Sequence, residues 1–203
     1  MAEVSCNYME KISTMSIAEL KRPIVFVVDM INGFAKEGAL ADQRILKTVE
    51  DITKLVKNIR PSIFICDSHD LDAREFGAFP VHCIKNTYES QVIDELKPYV
   101  KRVVLKNSTN AFFAEEMQKI IMHELDEYND IVIVGCCSDI CVMQFALSLN
   151  TYFNQHQMMD KNIIVPINMI ETYHIEGVHN NMKWNEMACD IMLANAIKVV
   201  ELK

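Results

Sequence analysis

Hydrophobic positions along the chain change period repeatedly. "IVFVV" at Ile24–Val28 is an unbroken apolar run rich in β-branched residues, as expected of a strand covered on both faces. The stretch Asp42–Ile59 then places Ile45, Leu46, Val49, Ile52, Leu55 and Val56 on one helical face. Short apolar runs at Ser62–Cys66, Arg102–Leu105, Ile131–Val134, Asn162–Ile167 and Ala196–Val200 predict further strands. Helical patterns separate them around Ala114–Leu125, from about Asp139, and over Asn181–Ala194. Strands alternating with helices predict an α/β fold. The expectation is a single domain with a six-stranded, mostly parallel sheet and helices on both faces, a Rossmann-like three-layer arrangement. Ile17, Ala18 and Leu20 suggest a helical extension over residues 1–21 that packs on a main domain of residues 22–203.

Composition narrows this picture. Half of the 203 residues are apolar, enough for one sizeable core. Only five Gly and five Pro occur, and no repeat or linker divides the chain. A net charge of −8, with no basic cluster, argues against nucleic acid or an anionic membrane surface as the main partner. No apolar run approaches the ~20 residues that span a bilayer. The N-terminus carries acids and lysines and lacks the apolar core of a signal peptide. The seven cysteines are therefore expected as reduced thiols in a cytoplasm. Neither a C-x-x-C redox pair nor four-cysteine zinc spacing is present.

In open α/β sheets, ligands bind beyond the carboxyl ends of the strands. The residues that follow each run there are Asp29, then Asp67-Ser68-His69-Asp70, then Lys106, then Gly135-Cys136-Cys137-Ser138-Asp139-Ile140-Cys141. Each of these alone is more often a cap, a surface charge or a small buried thiol. Together they put a thiol, a carboxylate and an ammonium on one rim. A thiolate is the attacking form of cysteine, and a carboxylate can take and return its proton. Asp67 and His69 alternate as on a strand and point the same way. With His82 they form a plausible divalent-metal set, against the blander reading of a solvated acidic loop.

"VVDMINGF", "DSH", "FPVHC", "LKNSTNAFF" and "VGCCSDICV", in this order, resemble the isochorismatase-like cysteine hydrolases, and among them the nicotinamidases. The match runs from about residue 22 to the C-terminus, where "ANAIKVV" resembles the last strand. The resemblance implies a triad of Asp29 as base, Lys106 as thiolate-stabilising cation and Cys141 as nucleophile. It implies a cis peptide between Cys136 and Cys137 and an oxyanion site at the backbone N–H groups of Cys137 and Cys141. It implies a metal, zinc foremost with iron or manganese as alternatives, on Asp67, His69 and His82. Glu75 falls where some relatives place a fourth ligand, and Asp70 and Asp72 compete in the same loop. Phe34 and Phe79 match aromatics that hold the substrate ring. The implied activity is hydrolysis of a small amide, nicotinamide first, through a thioester. The alternatives are a related carbamoyl or pyrazine amide, a vinyl-ether hydrolase of the same fold, and a non-enzymatic binding module. The family commonly forms homodimers or tetramers.

The sequence departs from the family pattern at Asn86-Thr87, where Gly-Thr is usual, at Thr109-Asn110 after the lysine, and at Ser138. His123, His156, His174 and His179 match no motif and read as surface residues. Cys66 and Cys83 read as packing, Cys6 and Cys189 as incidental, and the methionines as core filler.

Overall fold

The computed structural model describes residues 12–203. Seven parallel strands form one sheet: β1 Ser13–Met15, β2 Ile24–Val28, β3 Ser62–Asp67, β4 Val103–Lys106, β5 Asp130–Gly135, β6 Asn162–Pro166 and β7 Lys198–Leu202. Their order is β1-β7-β6-β5-β2-β3-β4, so the two ends of the described chain meet at one edge. The unexpected strand is β1, which pairs Ser13–Met15 with Val200–Leu202. The helical extension expected over residues 1–21 is corrected in its described part. Residues 12–21 give this edge strand and one 3-10 turn, Ile17–Glu19, closed by a Ser16/Glu19 capping box. Three residues carry too little periodicity to announce a strand, and here the unpaired edge of β7 supplies the order.

The predicted alternation of buried faces explains the layers. Ile24, Phe26 and Val28 of β2 face one core with α3 (Glu115–His123), α4 (Met143–Gln155) and α5 (Asn181–Ala194). Val25 and Val27 face the other, with α1 (Asn32–Ala35) and α2 (Val49–Asn58). The single helix expected over 42–59 is split: Gln43–Thr48 is 3-10, started by Asp42, whose side chain accepts from the Arg44 N–H. Its apolar face is as expected, with Ile45, Ile52, Leu55 and Val56 buried. No helix among the described residues is long and apolar enough to cross a membrane.

The last strand begins two residues later than its apolar run because Ala196 has φ +61°. The Ala196 N–H donates to Leu193 and the Ile197 N–H to Met192, a Schellman closure of α5 with alanine where glycine is usual. Ala196→Gly should therefore stabilise the fold by about 0.5–1 kcal/mol, measured by urea denaturation. Asn86, also left-handed at φ +65°, occupies the family's usual glycine position, and asparagine tolerates that conformation well.

Candidate active site

The strand order places four chemically loaded ends side by side: Gly135 of β5, Val28 of β2, then β3 and β4. Gly135 pairs with Val28, and Asp67 with Lys106 in the register itself. Gly135 has φ +113°, and a Cβ there would lie 2.0 Å from the Val28 carbonyl oxygen. Only glycine lets β5 turn beside β2 at this point. Asp29, immediately after β2, is held at φ +49°, a left-handed conformation uncommon outside glycine and asparagine. That turn carries its side chain over the end of β3, where Oδ1 accepts the Asp67 N–H at 2.9 Å.

Lys106 is buried and its ammonium faces three partners. Nζ lies 2.8 Å from Asp29 Oδ2 and 3.7 Å from Cys141 Sγ, and it donates to Asp67 Oδ1. Cys141 sits in a π-helical turn, Ser138–Val142, in which the Val142 N–H reaches the Cys137 carbonyl five residues back. The peptide joining Cys136 and Cys137 is cis, and the Cys136 thiol donates to the Asp29 carbonyl at 3.0 Å. The three sequence-predicted triad residues thus meet. The six cysteines among the described residues are all free and buried, and Cys66 and Cys83 belong to the core cluster.

The expected pull of Lys106 toward a Cys141 thiolate is present and is opposed by burial. Burial pushes the Cys141 thiol well up, more than the Lys106 ammonium pulls it down. Burial, joined by the charge of Asp67, pushes Asp29 up to about 6 against the pull of Lys106. For Asp67 burial is outweighed by the Lys106 ammonium together with the facing His69 and His82 rings, which hold its carboxyl below the usual range. The resting pair is a thiol beside a carboxylate that can accept its proton, with Lys106 as the balancing charge.

Asp67 also faces a second group. Its Oδ2 lies 3.6 Å from His69 Nε2 and 3.8 Å from His82 Nε2. One atom from each of the three residues falls within 4.8 Å of the others. Each imidazole is oriented from behind: His69 Nδ1 meets Asn107 Oδ1 at 3.1 Å and His82 Nδ1 meets the Pro80 carbonyl at 2.7 Å. Those acceptors fix the tautomer with Nε2 unprotonated and directed inward, as a metal ligand requires. His69 Nε2 is buried with no hydrogen-bond partner. Glu75 Oε1 stands 3.9 Å from it, while Oε2 accepts from the Thr109 N–H at 2.8 Å. Asp29 and Asp67 share the Lys106 ammonium, and Glu75 adds a third carboxylate beside His69. The donor chemistry, the orphaned nitrogen and the excess negative charge all fit a divalent cation. His69 and His82 are joined because the His69 N–H donates to the Cys83 carbonyl and the Lys85 N–H to that of His69.

Both clusters open into one cleft, about 250 Å³ including its mouth, whose walls include Phe34, Phe79, Leu40, Ile140, Thr109 and Tyr173. Phe34 and Phe79 both lie against His82, with ring centroids 5.5 and 6.3 Å away. Leu40, Ile140, Thr109 and Tyr173 escaped the sequence reading. Ile140 adjoins Cys141 and Thr109 follows Lys106 closely, so proximity to a motif was the available signal. Tyr173 lies beyond the end of β6, where the strand-end rule, applied once more, points. The departures from the family pattern are local supports: Asn110 caps the Ala111–Phe113 turn, and Thr109 seats Glu75. His123 and His156 are exposed as expected, and His174 is half-buried. The surface assignment of His179 is corrected: it is buried, its ring enclosed by Tyr173 and Trp184.

Comparison with known proteins agrees with this fold. "Nicotinamidase 1" of Arabidopsis thaliana is 29% identical over 138 residues, covering 59% of this chain and 56% of that protein. The match therefore spans little more than half the length of that curated relative. A nicotinamidase/pyrazinamidase of Acinetobacter baumanii superposes with a TM-score of 0.74 at 18% identity, covering 90% of this chain and 97% of the other. A pyrazinamidase of Pyrococcus horikoshii, solved in complex with zinc, gives 0.70 at 18% identity over 89% and 99% of the two chains. The isochorismatase domain profile matches residues 23–151, which carry the candidate triad, the three-ligand cluster and both pocket phenylalanines. The chain belongs to the isochorismatase domain family.

Proposed function

We propose that the protein is a metal-containing cysteine amidohydrolase that converts nicotinamide to nicotinate and ammonia. The observation that carries this reading is a single carboxylate, Asp67, shared by a Cys-Asp-Lys set and an Asp-His-His set at the floor of one aromatic cleft.

Cys141 Sγ attacks the amide carbonyl carbon while its proton passes to Asp29. A base at about 6 can take that proton and later return it near neutral pH. Lys106 compensates the charge of Asp29 in either state. The oxyanion meets the backbone N–H groups of Cys137 and Cys141, donors of a kind worth ~3–4 kcal/mol in the transition state. Collapse breaks the C–N bond, the Asp29 proton goes to nitrogen, ammonia leaves, and a thioester remains on Cys141. Water, giving a proton to Asp29, adds to the thioester; the C–S bond breaks, Asp29 returns the proton to the Cys141 sulfur, and the acid leaves as nicotinate after losing its proton to solvent.

A divalent ion, zinc foremost, held by Asp67, His69, His82 and Glu75 would bind the pyridine nitrogen and fix the ring. Phe34 and Phe79 supply apolar faces for that ring. Among the described residues, the cleft lining contains no lysine or arginine. A neutral ring amide suits such a lining better than a substrate bearing carboxylates, which disfavours the vinyl-ether reading. Ammonia release from nicotinamide, pyrazinamide and small aliphatic amides tests the proposal. Hydrolysis of nicotinamide at the highest kcat/KM is expected, and no release from any of them would overturn it.

A further inference from the structure

His179 occupies a position no motif announced. Its ring lies between the Tyr173 ring, centroids 4.2 Å apart at 24°, and the Trp184 indole, 5.0 Å away at 2°. Nδ1 stands 2.8 Å from the Tyr173 carbonyl oxygen and Nε2 2.9 Å from Asp139 Oδ2. The ring therefore bridges the Tyr173 backbone and the Asp139 carboxyl group through its two nitrogens.

The two ends of this link belong to different walls of the cleft. Asp139 lies two residues before Cys141, in the π-helical turn. Tyr173 lines the cleft and opens a tight hairpin, closed by the antiparallel Ile175–His179 bridge with Gly177 at φ +72°. A separate anchor holds the hairpin from the other side, where the His174 N–H donates to Asp42 Oδ2 at 2.9 Å. Loss of the His179 link would therefore loosen this wall without detaching it.

We propose that His179 is a positioning residue that determines substrate selectivity: by tying the Tyr173 hairpin to the turn bearing Cys141, it sets how large an aromatic amide the cleft accepts. The inference rests on the proposed amide hydrolysis, and its test separates the two. The full-length protein, His179→Phe and Asp139→Asn are compared on nicotinamide and 5-methylnicotinamide. His179→Phe keeps an aromatic ring in the stack and removes both ring nitrogens. Its KM for nicotinamide should rise about tenfold with kcat within about threefold, and the preference for nicotinamide over its methyl analogue should fall by at least about fivefold, a methyl-sized discrimination. Asp139→Asn should shift the preference in the same direction by less.

Trp184 is the only tryptophan, so its emission reports the stack directly. Replacing the stacked imidazole, as in His179→Phe, should change its intensity. The wild-type assay bears on the proposed function alone. If the wild type does not turn over nicotinamide, the same preference is read as a ratio of Kd values from Trp184 titrations with the two amides. If His179→Phe does not fold, Asp139→Asn decides. An unchanged preference in whichever variant folds, by either readout, would overturn the inference and leave the stack a purely structural feature.

Discussion

Replacing Cys141 with alanine is expected to lower amide turnover by at least about 10⁴-fold, the scale seen when a covalent nucleophile is removed. The fold should survive. Cys141 Sγ lies at the floor of the cleft, 3.7 Å from Lys106 Nζ, and without it Lys106 keeps both of its carboxylate partners. Deleting one sulfur should cost roughly 1 kcal/mol or less, visible as a small shift in a thermal melt. Cys137→Ala is the matched control. Its proposed contribution is a backbone N–H, which alanine retains, so turnover should fall less than about tenfold. Equal losses in the two variants would mean that the Cys137 thiol takes part in the chemistry. An active Cys141→Ala protein would end the covalent mechanism.

Removing the metal should have the second-largest effect. Chelation is expected to lower turnover about 100-fold or more, with recovery on adding Zn²⁺, since even indirect disturbance of such sites costs 10–100-fold. His69→Ala should do the same, because it deletes the orphaned Nε2 and leaves Asp67 Oδ2 and His82 Nε2, 3.8 Å apart, as an incomplete set. Elemental analysis should find about one divalent ion per chain in the wild type. Added metal should raise the unfolding free energy by about 2.7 kcal/mol at a hundredfold excess over Kd. Cys141 should still react with iodoacetamide after chelation, since the triad geometry does not depend on the ion. Full activity in a metal-free protein would remove the ion from the reaction.

Much of this architecture is legible in the sequence because buried parallel strands are chemically conspicuous. "IVFVV" and "IVIV" can only be covered on both faces, and the residues just beyond them must then sit on one rim. That logic found Asp29, Asp67, Lys106 and Cys141, and the motifs added His82, Glu75, Phe34 and Phe79. Features created by tertiary contacts were not legible. β1 exists because β7 has a free edge. Ala196 bends left-handed without the glycine that would have marked the end of α5. Tyr173 reaches the cleft from a segment more than thirty residues after the nucleophile, with His179 stacked on its ring, and no spacing rule connects either to Cys141. How strongly burial opposes the thiolate-favouring pull of Lys106 was not legible either, because it depends on how completely Cys141 is buried, which a sequence does not state.

The central claim is that nicotinamide is cleaved through a thioester on Cys141. Its most direct test is rapid quenching of the metal-loaded enzyme during turnover of nicotinamide, followed by intact-mass and peptide mass spectrometry. The account predicts a transient nicotinoyl adduct on the peptide carrying Cys141, absent from Cys141→Ala. An adduct on another residue, or sustained turnover by Cys141→Ala with no adduct at all, would contradict it.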